Sequence, residues 1–555
     1  MTAQFPVVAG VSVERDLVCP AADGTALRTD VYRSAEAGPR PALLLRLPYG
    51  KTAADSDVAF AHPAWLAAQG FTVVVQDTRG RWASDGSFYP LRDEAADGHA
   101  AVEWTSALPG GDGRVITYGF SYPGLIQLLA AAGQPRGLVG ICPAFTAARA
   151  GDGWAYQGGA LSGFVVEWAV ELALDGARRA GDHLSFLLLR RQLASGDAWT
   201  WLPGVDEAVG KYSGWLADWC EPGGDWDVAV SYPGIGVPAL HTGGWWDRFA
   251  RGTITNFTGL RARAATAAAR QGQRLVMGPW RHMPWSPVPE PGPSGRDVVD
   301  LHLQWWRHLL YGTPAPLLSA PVLAWVTGDG WRNYGHWPPH DRVTRWYLHS
   351  AGRAATRFGD GTLSDAAPAE AGEPPDVLPY DPWLAVARAG GHGCCLADVT
   401  PMGPACQCAA EESPTVLVYT SDPLPAPAVL AGDVTAEIWM SADAPSADVC
   451  ARLCVVSDDG CSENLLEGIT RTAGGTAPAR HRIDLGPVAC RLTAGTRLRL
   501  QVSCSDHPLW DLNAGTGESW SPGRPAFGRP ATQVFYHDAA HPSALLLPFE
   551  PEPAP

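Results

Sequence analysis

The chain has 555 residues, 46% of them hydrophobic and 18% charged, and a net charge of −16. That length holds about three domains, the composition is that of a well-buried globular protein rather than a disordered one, and acids spread along the chain argue against nucleic acid and anionic membranes as partners. No run reaches the roughly 18 apolar residues of a membrane helix, and residues 1–10 carry no basic segment followed by an apolar core, so no signal peptide is read and a cytoplasmic location is expected.

Residues 1–148 alternate apolar runs with helical patterns. Ala42–Leu47, Phe71–Gln76 and Val115–Tyr118 read as buried strands, and Val58–Gly70, Asp97–Leu108 and Gly124–Ala132 as the helices between them. Continuous apolar strands separated by helices predict a parallel sheet covered on both faces. From 149 to 230 tryptophans and helical periodicity take over, in Phe164–Leu174, Leu184–Leu189 and Val209–Trp219, which reads as a helical insertion. Sheet-like runs return at Val237–Thr242 and Arg274–Gly278, followed by a helix from Asp297 to Tyr311, so 231–318 reads as the second part of the same core. From 319 to 555 short strands separated by turn signals predict a β-sandwich: Pro321–Val326, Thr344–His349, Thr415–Tyr419, Val434–Met440, Val449–Val456 and Leu498–Ser503.

The stretch Gly119-Phe-Ser-Tyr-Pro-Gly124 sits between a strand and a helix. That is the layout of a nucleophile elbow, a turn that lifts a serine hydroxyl clear of the sheet. The spacing is G-x-S-x-x-G rather than G-x-S-x-G. A serine needs a histidine as base, a carboxylate to orient that histidine and donors for the developing oxyanion. Asp247 follows the 237–242 strand in Gly243-Gly-Trp-Trp-Asp247, and His282 follows the 274–278 strand in Gly278-Pro-Trp-Arg-His282. Loops at the carboxyl ends of parallel strands share one face of the sheet, so Ser121, Asp247 and His282 can converge. Taken singly, His282 could be packed, Asp247 could cap a helix beginning at Arg248, and Asp77 could brace Arg79 or Arg81.

With Leu47-Pro-Tyr-Gly-Lys51, the Gln76–Phe88 segment, and Leu417–Leu424 and Val502–Asp506 near the end, the chain resembles the cocaine esterase / X-prolyl dipeptidyl-peptidase (CocE/NonD) family of α/β-hydrolases. The likeness implies an α/β-hydrolase core with an inserted helical cap domain and a C-terminal β-sandwich of jelly-roll type. It implies Ser121 as nucleophile, His282 as base and Asp247 as orienter, with an oxyanion hole made by the Tyr122 N–H and the Tyr49 hydroxyl. Trp154 falls in a segment resembling the one that lines the family's acyl pocket. With Phe164, Trp168 and Trp245 it would suit an aromatic or bulky apolar acyl group, although the same aromatics could be cap core. Asp152, Glu167 and Glu171 are the cap acids that could hold a substrate ammonium, helix-face solvation being their ordinary role.

Cys394-Cys395 and Cys406-Gln-Cys408 invite a zinc reading, but their spacing is not that of a zinc ribbon and no histidine stands at ligand spacing beside them. No metal or organic cofactor is expected. The expected activity is hydrolysis of a small ester or amide through an acyl-enzyme. The same triad would also serve an acyltransferase, and a non-catalytic binding protein is the remaining alternative. Caps and jelly rolls often supply subunit contacts, which makes a homodimer the assembly to look for.

Overall fold

Among the described residues, ten strands lying between Val11 and Tyr334 form one sheet. The computed structural model describes residues 10–35, 38–56, 62–282, 298–369, 372–384, 389–395, 402–520 and 528–551. In chain order the strands are β1 (Val11–Pro20), β2 (Ala26–Ser34), β3 (Arg40–Leu47), β4 (Thr72–Asp77), β5 (Gly111–Phe120) and β6 (Leu138–Ala144). A two-strand hairpin of β7 (Tyr156–Gln157) and β8 (Ala160–Leu161) lies apart from the sheet, which resumes with β9 (Leu240–Trp246), β10 (Arg274–Arg281), β11 (Val322–Val326) and β12 (Gly330–Tyr334). Their spatial order is β1-β2-β4-β3-β5-β6-β9-β10-β11-β12. The strands from β4 to β11 pair in parallel, and antiparallel pairs close both edges.

Parallel strands are covered on both faces, which is why β3 and β4 carry the apolar runs Ala42–Leu45 and Val73–Val75 instead of alternating; all six residues of β4 are buried. On one face lie Phe71, Tyr118 and Trp306, the last from the helix Val298–Tyr311; on the other the helix Tyr122–Ala131 is buried along its whole length. Of the predicted helices, the stretch 58–61 and Asp297 lie outside the described residues, while Pro63–Ala68 and Val298–Tyr311 form where expected. The sequence reading passes over β1, β2 and β6. β1 is an exposed edge strand with little apolar signal, and Gly140 and Pro143 interrupt β6.

Residues 163–219 form the helices Gly163–Ala180, His183–Ser195, Val205–Tyr212 and Trp215–Trp219, the first and last of which meet through tryptophans. Trp168 meets Trp215 at 5.2 Å, Trp215 meets Trp219 at 5.0 Å, and Trp219 stacks on Trp226 at 5.0 Å.

The strand expected at Pro321–Val326 belongs to this first sheet and not to the C-terminal one. Val322–Ala324 pairs in parallel with Leu275–Met277, and β12 folds back on it as a hairpin. The second sheet has nine strands. A circuit runs from Ala428–Val456 through Arg497–Ser503, Val416–Ser421, Thr362–Ser364, Thr344–His349 and Ala544–Leu547 back to Thr435–Glu437. Ser462–Leu492 pairs along the length of Ala428–Val456, and the circuit encloses an aliphatic core that includes Leu417, Ile438, Leu453 and Leu500. No helix among the described residues is long and apolar enough to cross a membrane.

Candidate active site

β5 ends at Phe120, and the helix Tyr122–Ala131 begins two residues later. Ser121 between them has φ 63° and ψ −126°, a conformation that L side chains avoid and that surrounding structure must enforce. The enforcement is local. The Ser121 N–H donates to Ala144 O at 2.9 Å, and Thr146 Oγ1 donates to Ser121 O at 2.8 Å. Gly119 has φ 145°, and a Cβ there would lie 2.5 Å from Pro123 Cβ. A Cβ on Gly124 would lie 2.7 Å from Ala144 O and 2.9 Å from Thr146 Cβ. The second glycine therefore comes one position late because that is where the helix meets the end of β6.

Asp247 is the first residue after β9 and His282 the first after β10. The two strands are parallel neighbours with Trp246 opposite Arg281, so the residues that follow emerge side by side. His282 Nδ1 lies 2.8 Å from Asp247 Oδ1, and His282 Nε2 lies 3.0 Å from Ser121 Oγ. Ser121, Asp247 and His282 are all buried, and Asp247 Oδ2 has no hydrogen-bond partner among the described residues. Asp247 caps no helix with its side chain: the following helix starts at Ala250 with Phe249 at its N-cap. The rings of Phe249 and Phe120 stand 5.2 and 5.9 Å from the imidazole.

Tyr122 is the first residue of its helix, so its N–H has no intrahelical acceptor. Its side chain is anchored at both lone pair and proton: the hydroxyl donates to Glu94 Oε1 at 2.9 Å and accepts from the Leu91 N–H at 3.0 Å. Glu94 in turn pairs with Arg46 at 2.8 Å. Tyr49 sits in the loop after β3. Burial, then the charge of Glu171, pushes its phenol well above the usual range, so it stays protonated as a donor. Its hydroxyl lies beside the Trp168 indole N–H, short of a formed hydrogen bond. Asp77 fixes this loop by accepting from the Lys51 and Ala83 N–H groups. It braces neither arginine: Arg79 pairs with Asp23 and Asp97, and Arg81 donates to Pro48 O and Leu172 O.

Three of the four expected pocket aromatics come together. Trp154 stacks on Phe249 at 4.8 Å, Phe164 meets Trp154 at 5.8 Å and stacks on Trp168 at 6.1 Å, and Trp168 meets the Tyr122 ring at 5.7 Å. An aromatic arc thus runs from His282 through Phe249 and the cap back to the residue after the serine. Trp245 is not part of it. Its N–H donates to Trp325 O at 2.6 Å and its ring packs on Trp337, across the sheet from the cap. Phe249, in the arc, and Phe120, beside the imidazole, were not expected from the sequence; Phe249 stands two residues from Asp247 and Phe120 next to Ser121.

The cap acids also divide. Asp152 is solvent-exposed. Glu167 is buried rather than solvated, its Oε1 has no hydrogen-bond partner among the described residues, and burial followed by the charges of Asp197 and Glu171 pushes its carboxyl up to about 8. Glu171 is exposed to solvent, and its charge acts on Tyr49 and Arg81.

The four cysteines that sequence places together are apart in space. Cys394 and Cys395 form a disulfide whose sulfurs lie within 4.8 Å of a His282 ring nitrogen, while Cys406 and Cys408 join Cys461 elsewhere. A third element reaches the site from the C-terminal domain. His392 Nε2 lies 2.8 Å from Trp245 O, its Nδ1 lies 2.8 Å from Glu467 Oε1, and its ring stacks on Trp246 at 5.6 Å.

Residues 23–284 match the X-Pro dipeptidyl-peptidase (S15) family, and residues 318–546 match the X-Pro dipeptidyl-peptidase C-terminal non-catalytic domain. The chain is 30% identical to cocaine esterase from Rhodococcus sp. (strain MB1 Bresler), over 97% of this chain and 98% of that one. Among solved structures it is similar to an aminopeptidase from a marine sediment archaeon of the Thaumarchaeota (TM-score 0.76, 20% identity, 98% and 97% of the two chains). It is also similar to an α-amino acid ester hydrolase (TM-score 0.72, 20% identity, 99% and 100%).

Proposed function

The chain belongs to the cocaine esterase / X-prolyl dipeptidyl-peptidase family of α/β-hydrolases and is a serine hydrolase of ester or amide bonds, and we propose that its chemistry runs through Ser121, His282 and Asp247. The observation that carries this reading is the unbroken chain of contacts from Ser121 Oγ to His282 Nε2 and from His282 Nδ1 to Asp247 Oδ1, at 3.0 and 2.8 Å. Ser121 Oγ attacks the carbonyl carbon as its proton passes to His282 Nε2. The tetrahedral oxyanion is held by the Tyr122 N–H and the Tyr49 hydroxyl. Collapse of the intermediate breaks the bond to the leaving alkoxide or amine, which takes the proton from His282. Water then repeats the sequence on the acyl-enzyme and releases the acid.

The acyl group we assign is aromatic or bulky and apolar, because the arc of Phe249, Trp154, Phe164 and Trp168 adjoins the triad at both ends. Exposure to a fluorophosphonate followed by intact mass tests the nucleophile: one adduct on wild type and none on Ser121→Ala is expected. No adduct on folded wild type would refute it.

Glu171 favours a second reading for the substrate, an α-amino acyl group whose ammonium pairs with that carboxylate. The relatives named for α-amino acid ester hydrolysis and aminopeptidase activity fit it. Comparing phenylacetyl and phenylglycyl esters of one alcohol decides between the two. A preference for phenylglycyl that collapses in Glu171→Gln supports the second reading, and equal rates in both proteins eliminate it.

A further inference from the structure

The segment Cys406-Gln407-Cys408 runs opposite Ser462 and Glu463: Cys406 bridges to Glu463, and the Gln407 N–H donates to Ser462 O at 2.7 Å. In an extended segment residues two apart share a face. Gln407 between them turns inward, where its amide donates to Ala389 O, Ala405 O and Asn464 Oδ1. Cys461 ends a turn closed by the Ser457 N–H on Cys461 O, with Asp459 Oδ1 accepting from Ser457 Oγ and from the Cys461 N–H. The turn delivers a third thiol to the other two. The three sulfurs lie within 4.8 Å of one another, and all three are free, Cys406 exposed and the others half-buried.

We propose that Cys406, Cys408 and Cys461 form a binding site for one soft, thiophilic metal ion, held by three thiolates with a coordination position open to solvent. Three sulfurs at about 2.3 Å from a common ion stand roughly 3.8–4.0 Å apart. Closure of the cluster therefore needs an adjustment of about 1 Å or less, within reach of side-chain rotation. An all-sulfur set selects Zn(II) or Cu(I) over hard oxygen-seeking cations. Binding releases the thiol protons to solvent. The third ligand, more than fifty residues downstream, is why the sequence spacing alone points away from a metal.

The test uses full-length protein, reduced, freed of metal and titrated with Cd(II), whose thiolate charge-transfer absorbance reports metal–sulfur bonds. The end point is expected to fall by one equivalent in each of Cys406→Ser, Cys408→Ser and Cys461→Ser, with ester hydrolysis unchanged as the check on folding. An end point unaltered by all three substitutions, or altered by only one, overturns the site. X-ray absorption of Zn(II)-loaded wild type gives the second measurement: three sulfur neighbours are expected, and one or none would overturn the site without recourse to any variant.

Discussion

Asp247→Asn is the substitution whose outcome follows most directly from the geometry. Asp247 Oδ1 accepts from His282 Nδ1 at 2.8 Å, which leaves Nε2 as the base facing Ser121 Oγ at 3.0 Å. An asparagine can sit two ways in this buried slot. With its oxygen toward Nδ1 it preserves that tautomer but places an NH₂ where Asp247 Oδ2 finds no partner among the described residues. With its NH₂ toward Nδ1 it places only a carbonyl oxygen there. An orphaned buried donor is rarer and dearer than an under-satisfied carbonyl, so the second orientation wins. His282 then carries its proton on Nε2 and cannot accept one from the serine. The expected loss in kcat is about 10⁴-fold, or ~5 kcal/mol of barrier. Stopped-flow hydrolysis of a p-nitrophenyl ester measures it, with circular dichroism to confirm folding. A folded Asp247→Asn enzyme within tenfold of wild type in kcat would refute the assigned role of this carboxylate.

Tyr122→Phe removes the bond to Glu94 Oε1 and orphans the Leu91 N–H; it should cost about 2–4 kcal/mol in urea unfolding and lower kcat more than it raises KM. Glu167, pushed up to about 8 by burial and neighbouring acids, binds its proton more tightly folded than unfolded. Its contribution is therefore fully present below pH 4.5 and is lost as pH rises toward 8, by at most about 5 kcal/mol. Urea melts at pH 5, 7 and 9 should show wild type losing stability relative to Glu167→Gln, and parallel curves would contradict the burial. Because the Cys394 and Cys395 sulfurs approach His282 within 4.8 Å, reduction followed by phenylarsine oxide, which bridges two thiols with loss of water, should block hydrolysis. The unreduced protein should be spared, and full activity of the arsenical adduct would place the pair away from the reacting atoms.

The meeting of Ser121, His282 and Asp247, the proposed triad, was legible because each member is announced by its own short stretch of chain. A strand signal precedes Ser121, Asp247 and His282 alike, and parallel pairing converts three sequence-local facts into one spatial meeting. Gly124 was legible as a departure, and the closeness of Ala144 O and Thr146 explains it. What sequence did not disclose depends on partners far apart in the chain. The hydroxyl of Tyr122 reaches Glu94 on a different helix, Trp245 turns to Trp325 rather than to the cap, and Cys461 completes a cluster begun at Cys406. β1 escaped notice for another reason: an exposed edge strand lacks the apolar run by which buried strands are recognised.

The C-terminal domain matches a family description of non-catalytic, yet it touches the chain just before Asp247 and just before His282, two members of the proposed triad. His392 holds Trp245 O two residues before Asp247 and stacks on Trp246. Burial pulls the His392 pKa down, but the charge of Glu467 more than offsets this and raises it; Glu467 itself, despite its burial, is drawn down to about 2 by His392 and Arg452. Arg452 is completed by Asp506 at 3.0 Å, so a buried ionic chain anchors the histidine in the β-rich core. On the other side a side chain at Gly403 would meet Arg281 Nε at 2.8 Å, one residue before His282. Asp247 and His282 each follow a strand whose last residues are touched by this domain, whereas Ser121 is fixed within the first sheet by Ala144 and Thr146. The distance from His282 to Ser121, the proposed base and nucleophile, thus depends on contacts across a domain boundary, and loosening that boundary is expected to part His282 from Ser121 before it disturbs the turn at Ser121.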